Sequence, residues 1–102
     1  MVANSDDTPT KKPKRAVALK YKQGHEGAPT VVAKGRERMA EKILELAREH
    51  NLHIHEDADL VEVLEKVELD QEIPLEVYSV VAEIFSYIYQ ANKKRANGNN
   101  TE

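Results

Sequence analysis

The sequence predicts a single mixed α/β domain of the α+β kind, in which a small mixed β-sheet is surrounded by about three helices. Its 102 residues leave room for one hydrophobic core but not for two. Segments with the alternating pattern of strands occur in the first third of the chain, and segments with helical spacing follow them. Charged residues (32%) and hydrophobic residues (40%) have ordinary frequencies, which indicates a globular protein.

Two short segments in the first third have the pattern of β-strands. Residues 16–21 place alternate apolar side chains on one face. The second strand, residues 30–33, starts after Pro29, which has no N–H to donate and therefore suits a strand start or a sheet edge. Glycines at both ends of residues 24–27 predict a turn between them. We expect the two strands to pair as a hairpin, although the connection is longer than most hairpin loops.

Residues 36–50 have the spacing of an amphipathic helix. Apolar side chains recur at intervals of three and four residues, and Asn51 is a candidate for the left-handed residue that often ends a helix. The expected apolar stripe consists of Met39, Ile43, Leu46 and His50, and it is widened by Ala40, Leu44 and Ala47.

The rest of the chain predicts one short strand and two more helices. Residues 52–55 alternate like a strand, with Leu52 and Ile54 pointing inward, and residues 60–67 form a helix that Asp59 would begin. The third helix starts at Pro74 and runs to about residue 92. It is apolar on most of its sides, so it either packs centrally or meets a partner along one flank.

The residue types argue against several functions. The chain has no cysteine, so it has neither a disulfide framework nor a thiolate metal site. No apolar run reaches the length of a membrane span, and the N-terminal residues lack the apolar region of a secretory signal, so the cytoplasm is the expected compartment. The acidic residues have the spacing of solvated helix surfaces, and no serine has a nucleophile motif. We expect no enzymatic activity and no cofactor.

Three histidines close together in the sequence raise the possibility of a metal site. His53 and His55 would share one face of a strand, and His50 stands just before them. However, no second pair of ligands at metal spacing exists elsewhere, and His25 is alone in a turn. A histidine bonded to the last carbonyls of a helix and two solvent-facing strand histidines explain the same residues, so we expect no metal.

The net charge of −3 is unevenly distributed. Residues 23–92 carry six basic and fifteen acidic side chains, whereas residues 1–22 carry six basic and two acidic ones. An acidic body argues against a nucleic-acid groove across the fold. The basic run at residues 11–15 nevertheless leaves a second function open, that of a small cytoplasmic nucleic-acid-binding protein using this arm.

Composition also predicts the domain boundaries. Residues 1–14 are polar, contain two prolines and have no apolar period, so we expect a disordered basic arm. Residues 15–92 form the expected domain, and residues 93–102 the expected disordered tail.

Three blocks of residues occur in order within residues 15–92. They are Ala16-Val17-Ala18-Leu19-x-Tyr21, Ala28-Pro29-x-Val31-x-Ala33-Lys34-Gly35 and Glu72-Ile73-Pro74-x-x-x-Tyr78-x-x-Val81-Ala82-Glu83. Together these blocks resemble the cytoplasmic C-terminal domain of the FlhB family, whose members belong to the flagellar export apparatus and to injectisome type III secretion.

The resemblance implies a non-enzymatic protein-interaction module of the export apparatus. Its expected partners are flagellar or type III export substrates and components of the export gate, and its expected place is the cytoplasm, peripheral to the membrane gate. The chain departs from the family in two respects: we expect no membrane domain before this region, and residues 11–14 stand where the family has an Asn-Pro-Thr-His tetrapeptide that cleaves itself by asparagine cyclisation. We therefore expect no self-cleavage.

The resemblance also implies a docking site. The positions that correspond to Ala28, Pro29, Ala82 and Phe85 look like parts of one shallow hydrophobic patch suited to an export signal. Ala82 and Phe85 are also neighbours on one strip of the third helix, where they could equally belong to the core. Both alternatives remain open from the sequence.

Overall fold

The computed structural model describes residues 1–5, 14–21 and 27–100, the last seven of these by their backbone alone. A four-stranded mixed sheet has one helix on one face and two on the other. The predicted small mixed sheet with about three helices is confirmed, and the structure adds a fourth strand and the distribution of the helices over the two faces. In chain order the elements are β1 (Val2–Ser5), β2 (Arg15–Lys20), β3 (Thr30–Arg36), α1 (Arg38–Glu49), β4 (Ile54–Glu56), α2 (Ala58–Leu64), a 3₁₀ turn (Leu75–Val77) and α3 (Tyr78–Asn100).

The sheet has the order β3-β2-β1-β4. The predicted hairpin is confirmed, since β2 pairs antiparallel with β3, with a register shift between Ala18 and Leu19. β1 pairs antiparallel with β2 and parallel with β4. Because side chains alternate between the faces of a strand, Ala16 packs toward α1, whereas Val17 and Leu19 pack toward α2 and α3.

The expectation of a disordered arm over residues 1–14 is wrong at its beginning. Val2–Ser5 forms a strand between β2 and β4, and all four of its residues are buried. The strand has small or polar side chains and lacks an apolar run, so its position depends on backbone pairing with both neighbours. The folded domain therefore begins before residue 15; residues 6–13 lie outside the described part of the chain.

The predicted first helix is confirmed, but the side chains that it buries are not those of the expected stripe. Ala40, Leu44 and Ala47 are buried against the sheet, whereas Met39 and Leu46 are 57% and 46% exposed. The chain is tightly packed where β3 leads into α1, because a Cβ atom at Gly35 would lie 2.6 Å from the Cβ of Met39.

Helix α1 ends in a left-handed turn. Asn51 has a φ of 57°, and its N–H donates to the carbonyl of Arg48. The N–H of Leu52 donates to the carbonyl of Ala47 at 2.8 Å, which completes a Schellman arrangement. The predicted cap at Asn51 is confirmed, and it turns the chain back toward β4.

The two later helices start and end at other residues than predicted. α2 begins after Asp57, whose side chain accepts from the N–H of Leu60, so the expected start at Asp59 is two residues late. α3 continues to Asn100, although a tail without fixed structure was expected from residue 93. Leu60, Leu64, Val77 and Val81 join Val17 and Val31 in the larger core cluster.

Candidate functional site

An apolar recess of about 460 Å³ lies between α3 and the chain around β2 and β3. Its lining consists of Tyr21, Pro29, Tyr78, Ala82, Phe85, Ser86, Ile88, Tyr89 and Asn92. The rings of Tyr21 and Phe85 meet with a centroid distance of 5.4 Å, so the end of β2 and the middle of α3 form one continuous wall. A concave apolar surface with a few polar groups at its rim is typical of a binding site.

Three of the four residues expected in a docking patch line this recess. Pro29, Ala82 and Phe85 are among the lining residues. Ala28 is half-buried and packs against the larger core cluster instead. Ala82 is exposed, so it is not a core residue, whereas Phe85 is half-buried and packs on the core while it lines the recess. Phe85 therefore contacts the core with part of its side chain and lines the recess with another part.

Pro29 lies just before β3, an outer strand of the sheet, as its lack of an N–H predicts. The outer side of this strand end is already paired with the chain that leads to α3. The carbonyl of Pro29 accepts from the N–H of Ile73 at 3.0 Å, and the N–H of Val31 donates to the carbonyl of Gln71 at 3.0 Å. A ligand at the recess would thus meet side chains and not a free strand edge.

Sequence reasoning missed the tyrosines of the recess. Tyr78 and Tyr89, which are 39% and 43% exposed, share its surface with Ala82. A signal was present, because residues 78, 82, 85 and 89 recur at helical spacing and so lie on one strip of α3. Tyr21 carried no such signal, because only the folding of β2 against α3 brings it to the strip.

His50 has different contacts from His53 and His55. Nδ1 of His50 lies 2.9 Å from the carbonyl of Leu46, which is the helix-end contact that the sequence predicts. The rings of His53 and His55 are stacked with centroids 6.5 Å apart, and His53 also packs edge-on against Tyr87 at 5.9 Å.

Burial lowers the pKa of His53, and the neighbouring His55 and the N-terminal ammonium group lower it further. Within the described residues, no group of three or more His, Cys, Asp or Glu side chains is placed to hold a metal ion. His25 lies outside them.

A carboxylate between two arginines joins the sheet to the end of α2. Glu65 accepts hydrogen bonds from Arg36 and, at 3.3 Å, from Arg15. The hydrogen bond from Arg36 is the main reason that the pKa of Glu65 is lowered, and the charges of both arginines act in the same direction. Lys34 donates to the carbonyls of Glu65 and Val67. The side chains of Arg15, Lys34 and Arg36 therefore bind the turn after α2 to strands β2 and β3.

Two further findings concern parts of the chain outside the recess. In the described residues, no helix has both the length and the apolar character needed to cross a membrane. Residues 11–13, which carry two of the four basic side chains of the run and three of the four positions where the family has its tetrapeptide, are not among the described residues.

The fold agrees with a match to one protein family. The family described as "FlhB HrpN YscU SpaS Family" matches residues 10–88. The chain belongs to this family, so the resemblance found in the sequence is confirmed.

Two proteins of Bacillus subtilis (strain 168) illustrate the relationship. The flagellar biosynthetic protein FlhB is 41% identical to this chain over 80 residues, which are 78% of this chain but only 22% of that protein. YlqH is 38% identical over 92 residues, which are 90% of this chain and 96% of that protein. The chain therefore spans about a fifth of FlhB and nearly the whole of YlqH.

Solved structures show the same fold. The cytoplasmic domain of FlhB from Shewanella putrefaciens superposes with a TM-score of 0.74 at 30% identity, and the match covers 93% of this chain and 74% of that domain. The C-terminal domain of EscU superposes with a TM-score of 0.67 at 26% identity and covers 83% of this chain and 75% of that one. The predicted mixed α/β architecture is thereby confirmed.

Proposed function

We propose that this chain is a non-enzymatic docking module of the flagellar or type III export apparatus, and that the recess on α3 binds export substrates or components of the export gate. The proposal rests on one observation above all: an open apolar recess in a member of this family is lined by Pro29, Ala82 and Phe85. In this proposal the module works in the cytoplasm beside the membrane gate.

The chemistry of the recess supports a protein segment as its ligand. The lining is mainly aromatic and aliphatic, and Tyr and Phe side chains contribute much contact area at low conformational cost. Ser86 and Asn92 add hydrogen-bonding groups at the same surface. A short segment with one or two large apolar side chains and a polar backbone fits this combination.

The volume of the recess limits the size of the ligand that it can hold. Its volume of about 460 Å³ lies in the range of small-ligand pockets. It holds a few side chains and not a folded partner surface. We therefore expect weak, reversible binding of a linear segment, which suits a module that must release each exported protein.

A charge placed in the recess tests the proposal. Ala82→Glu puts a carboxylate among apolar lining residues at an exposed helix position, where alanine and glutamate have similar helix propensity. Gln90→Glu is the matched control, because it adds the same charge on the same helix at an exposed residue outside the lining.

The measurement is an NMR titration of labelled protein with synthetic peptides covering the exported flagellar subunits. We expect shifts centred on the lining residues for the native chain and for Gln90→Glu, and at least a tenfold weaker affinity for Ala82→Glu, which corresponds to about 1.4 kcal/mol. Equal affinities of the two variants, or shifts centred elsewhere, would contradict the assignment of the recess.

A further inference from the structure

Helix α1 leaves an apolar strip uncovered on the side of the sheet opposite α3. Met39 and Leu46 are 57% and 46% exposed, and they are seven residues apart, so they lie one above the other on the helix surface. The core of the domain does not use these two side chains, because Ala40, Leu44 and Ala47 supply the contact of α1 with the sheet.

Four exposed charges run beside this strip, and they are separated by sign. Arg38 and Lys42 stand in the first half of α1, and Glu45 and Glu49 in the second half. Their spacing of four, three and four residues places them in one row along the helix. Among the described residues, none of the four forms a salt bridge.

The order of signs in this row does little to stabilise the helix itself, because its one attractive pair, three residues apart at the centre, is offset by two like-charged pairs four residues apart. A helix favours negative charge at its start and positive charge at its end, because of its macrodipole. Glu41 and Arg48 follow that order, but Arg38, at the first position, and Glu49, at the last, oppose it. The isolated helix therefore gives no reason for the arrangement of the row.

We propose that α1 is a self-complementary surface on which a second copy of this chain docks, with the two α1 helices antiparallel about a two-fold axis. The axis passes midway between Lys42 and Glu45, which is also the midpoint between Arg38 and Glu49. Antiparallel pairing there brings Arg38 level with Glu49 of the second copy and Lys42 level with Glu45 of the second copy, and symmetry makes each pair twice.

The apolar residues fit the same axis. The midpoint between Met39 and Leu46 falls within one residue of the midpoint of the charged row, so Met39 of one copy meets Leu46 of the other. A two-fold interface uses the same patch on both subunits, which is what a row of this symmetry provides. The recess on α3 lies on the opposite face of the sheet, so the dimer leaves it open.

A charge exchange between two variants tests the proposal. The first variant combines Arg38→Glu with Lys42→Glu and has only acidic side chains in the row; the second combines Glu45→Lys with Glu49→Lys and has only basic ones. Arg48→Glu is the control, because it changes a charge of the same helix on the opposite flank. Sedimentation equilibrium over a range of concentrations at low salt gives the mass of each, and circular dichroism checks that each is folded.

We expect the native chain and the control to approach twice the mass of one chain as concentration rises, and to dissociate in high salt. Each double variant alone should stay at the mass of one chain, and an equimolar mixture of the two should recover the doubled mass. The proposal is overturned if the native chain is monomeric at every concentration, if either double variant dimerises as the native chain does, or if the mixture does not associate.

Discussion

Glu65, at the end of α2, forms salt bridges that connect this helix to the antiparallel strands β2 and β3. Arg15 comes from the start of β2 and Arg36 from the end of β3, and both donate to this one carboxylate. Arg15 is buried, and its Nε has no hydrogen-bond partner among the residues that the structure describes, so within that part of the chain its guanidinium depends on Glu65 for compensation. Removing the carboxylate would leave a buried charge without its counterion.

Replacing Glu65 with glutamine should lower the free energy of unfolding at neutral pH by about 1–2 kcal/mol, because two charge-assisted hydrogen bonds are weakened. The pKa of Glu65 is lowered in the folded state, so its stabilisation is present above the ordinary value of 4.5 and is lost as the pH falls through the lowered folded pKa. The stability gap between native and variant, measured by urea unfolding, should therefore shrink below pH 4.5.

Glu62→Gln is the control for this prediction, since Glu62 is an exposed residue of α2. His53 also makes the fold sensitive to acid, because its lowered pKa means that protonation near its ordinary value of 6.5 and below favours the unfolded chain. That contribution is common to all three proteins and cancels in the comparison. A gap that stayed constant down to the most acidic condition would show that Glu65 does not stabilise the fold through its charge.

Phe85 combines a packing role with a place in the recess, so its replacement should have two effects. Phe85→Ala should cost about 2 kcal/mol of stability, less than a fully buried phenylalanine, because the side chain is half-buried and loses its contact with Tyr21. It should also weaken peptide binding. Tyr89→Ala, at a more exposed position of the same lining, should weaken binding with a melting temperature within a few degrees of the native one. Thermal unfolding and peptide titration of both variants separate the two roles.

At the scale of elements, β1 decides whether the sheet is continuous. It is the strand between β2 and β4, and its backbone pairs with both. Loss of this strand would leave β4 without a partner in the sheet and would open the contact of Ala3 with the larger core cluster. Four residues of modest hydrophobicity thus connect the two halves of the sheet.

A charge in β1 should therefore unfold the domain. Ala3 is completely buried, and Ala3→Asp would place a carboxylate in the larger core cluster at a cost of about 4 kcal/mol or more. The same change at Ala91, an exposed position of α3, should cost well under 1 kcal/mol. Circular dichroism melting curves distinguish the two. A native-like melting temperature for Ala3→Asp would mean that β1 does not belong to the folded sheet in solution.

At the scale of the whole molecule, the two helical layers carry separate surfaces. The recess lies between α3 and the chain around β2 and β3, and the exposed strip of α1 lies on the other face of the sheet. The proposed docking of a protein segment and the proposed docking of a second copy therefore use different surfaces and do not compete. Such a separation would allow a dimer to present two recesses to one export machine.

The chain as a whole should remain uncleaved. Lys11, Lys12, Pro13 and Lys14 stand at the positions of the family's Asn-Pro-Thr-His tetrapeptide, so no asparagine side chain is available there to attack the backbone. Mass spectrometry after incubation at neutral pH should give one mass, with a relative that bears the tetrapeptide as the positive control. Reproducible cleavage between Lys12 and Pro13 would refute this prediction.

The sequence by itself determined the elements with strong local signals. Period-two alternation predicts β2 and β3, helical spacing predicts α1 and α3, and Asn51 marks the end of α1, because each of these signals arises within a few residues of chain. The three sequence blocks also identify the family, since they combine core and turn positions in a fixed order. Pro29, Ala82 and Phe85 could be assigned to a patch through that resemblance.

Only the tertiary structure decided the features that depend on distant contacts. β1 is a strand because β2 and β4 pair with it, and nothing in its own four residues requires it. The face that α1 buries is set by its packing against the sheet, which covers Ala40 and Ala47 and leaves Met39 and Leu46 exposed. Tyr21 joins the recess through a contact with Phe85 sixty-four residues further along the chain. Local patterns cannot carry such information, because the free energy of each choice comes from burial against residues far away in sequence.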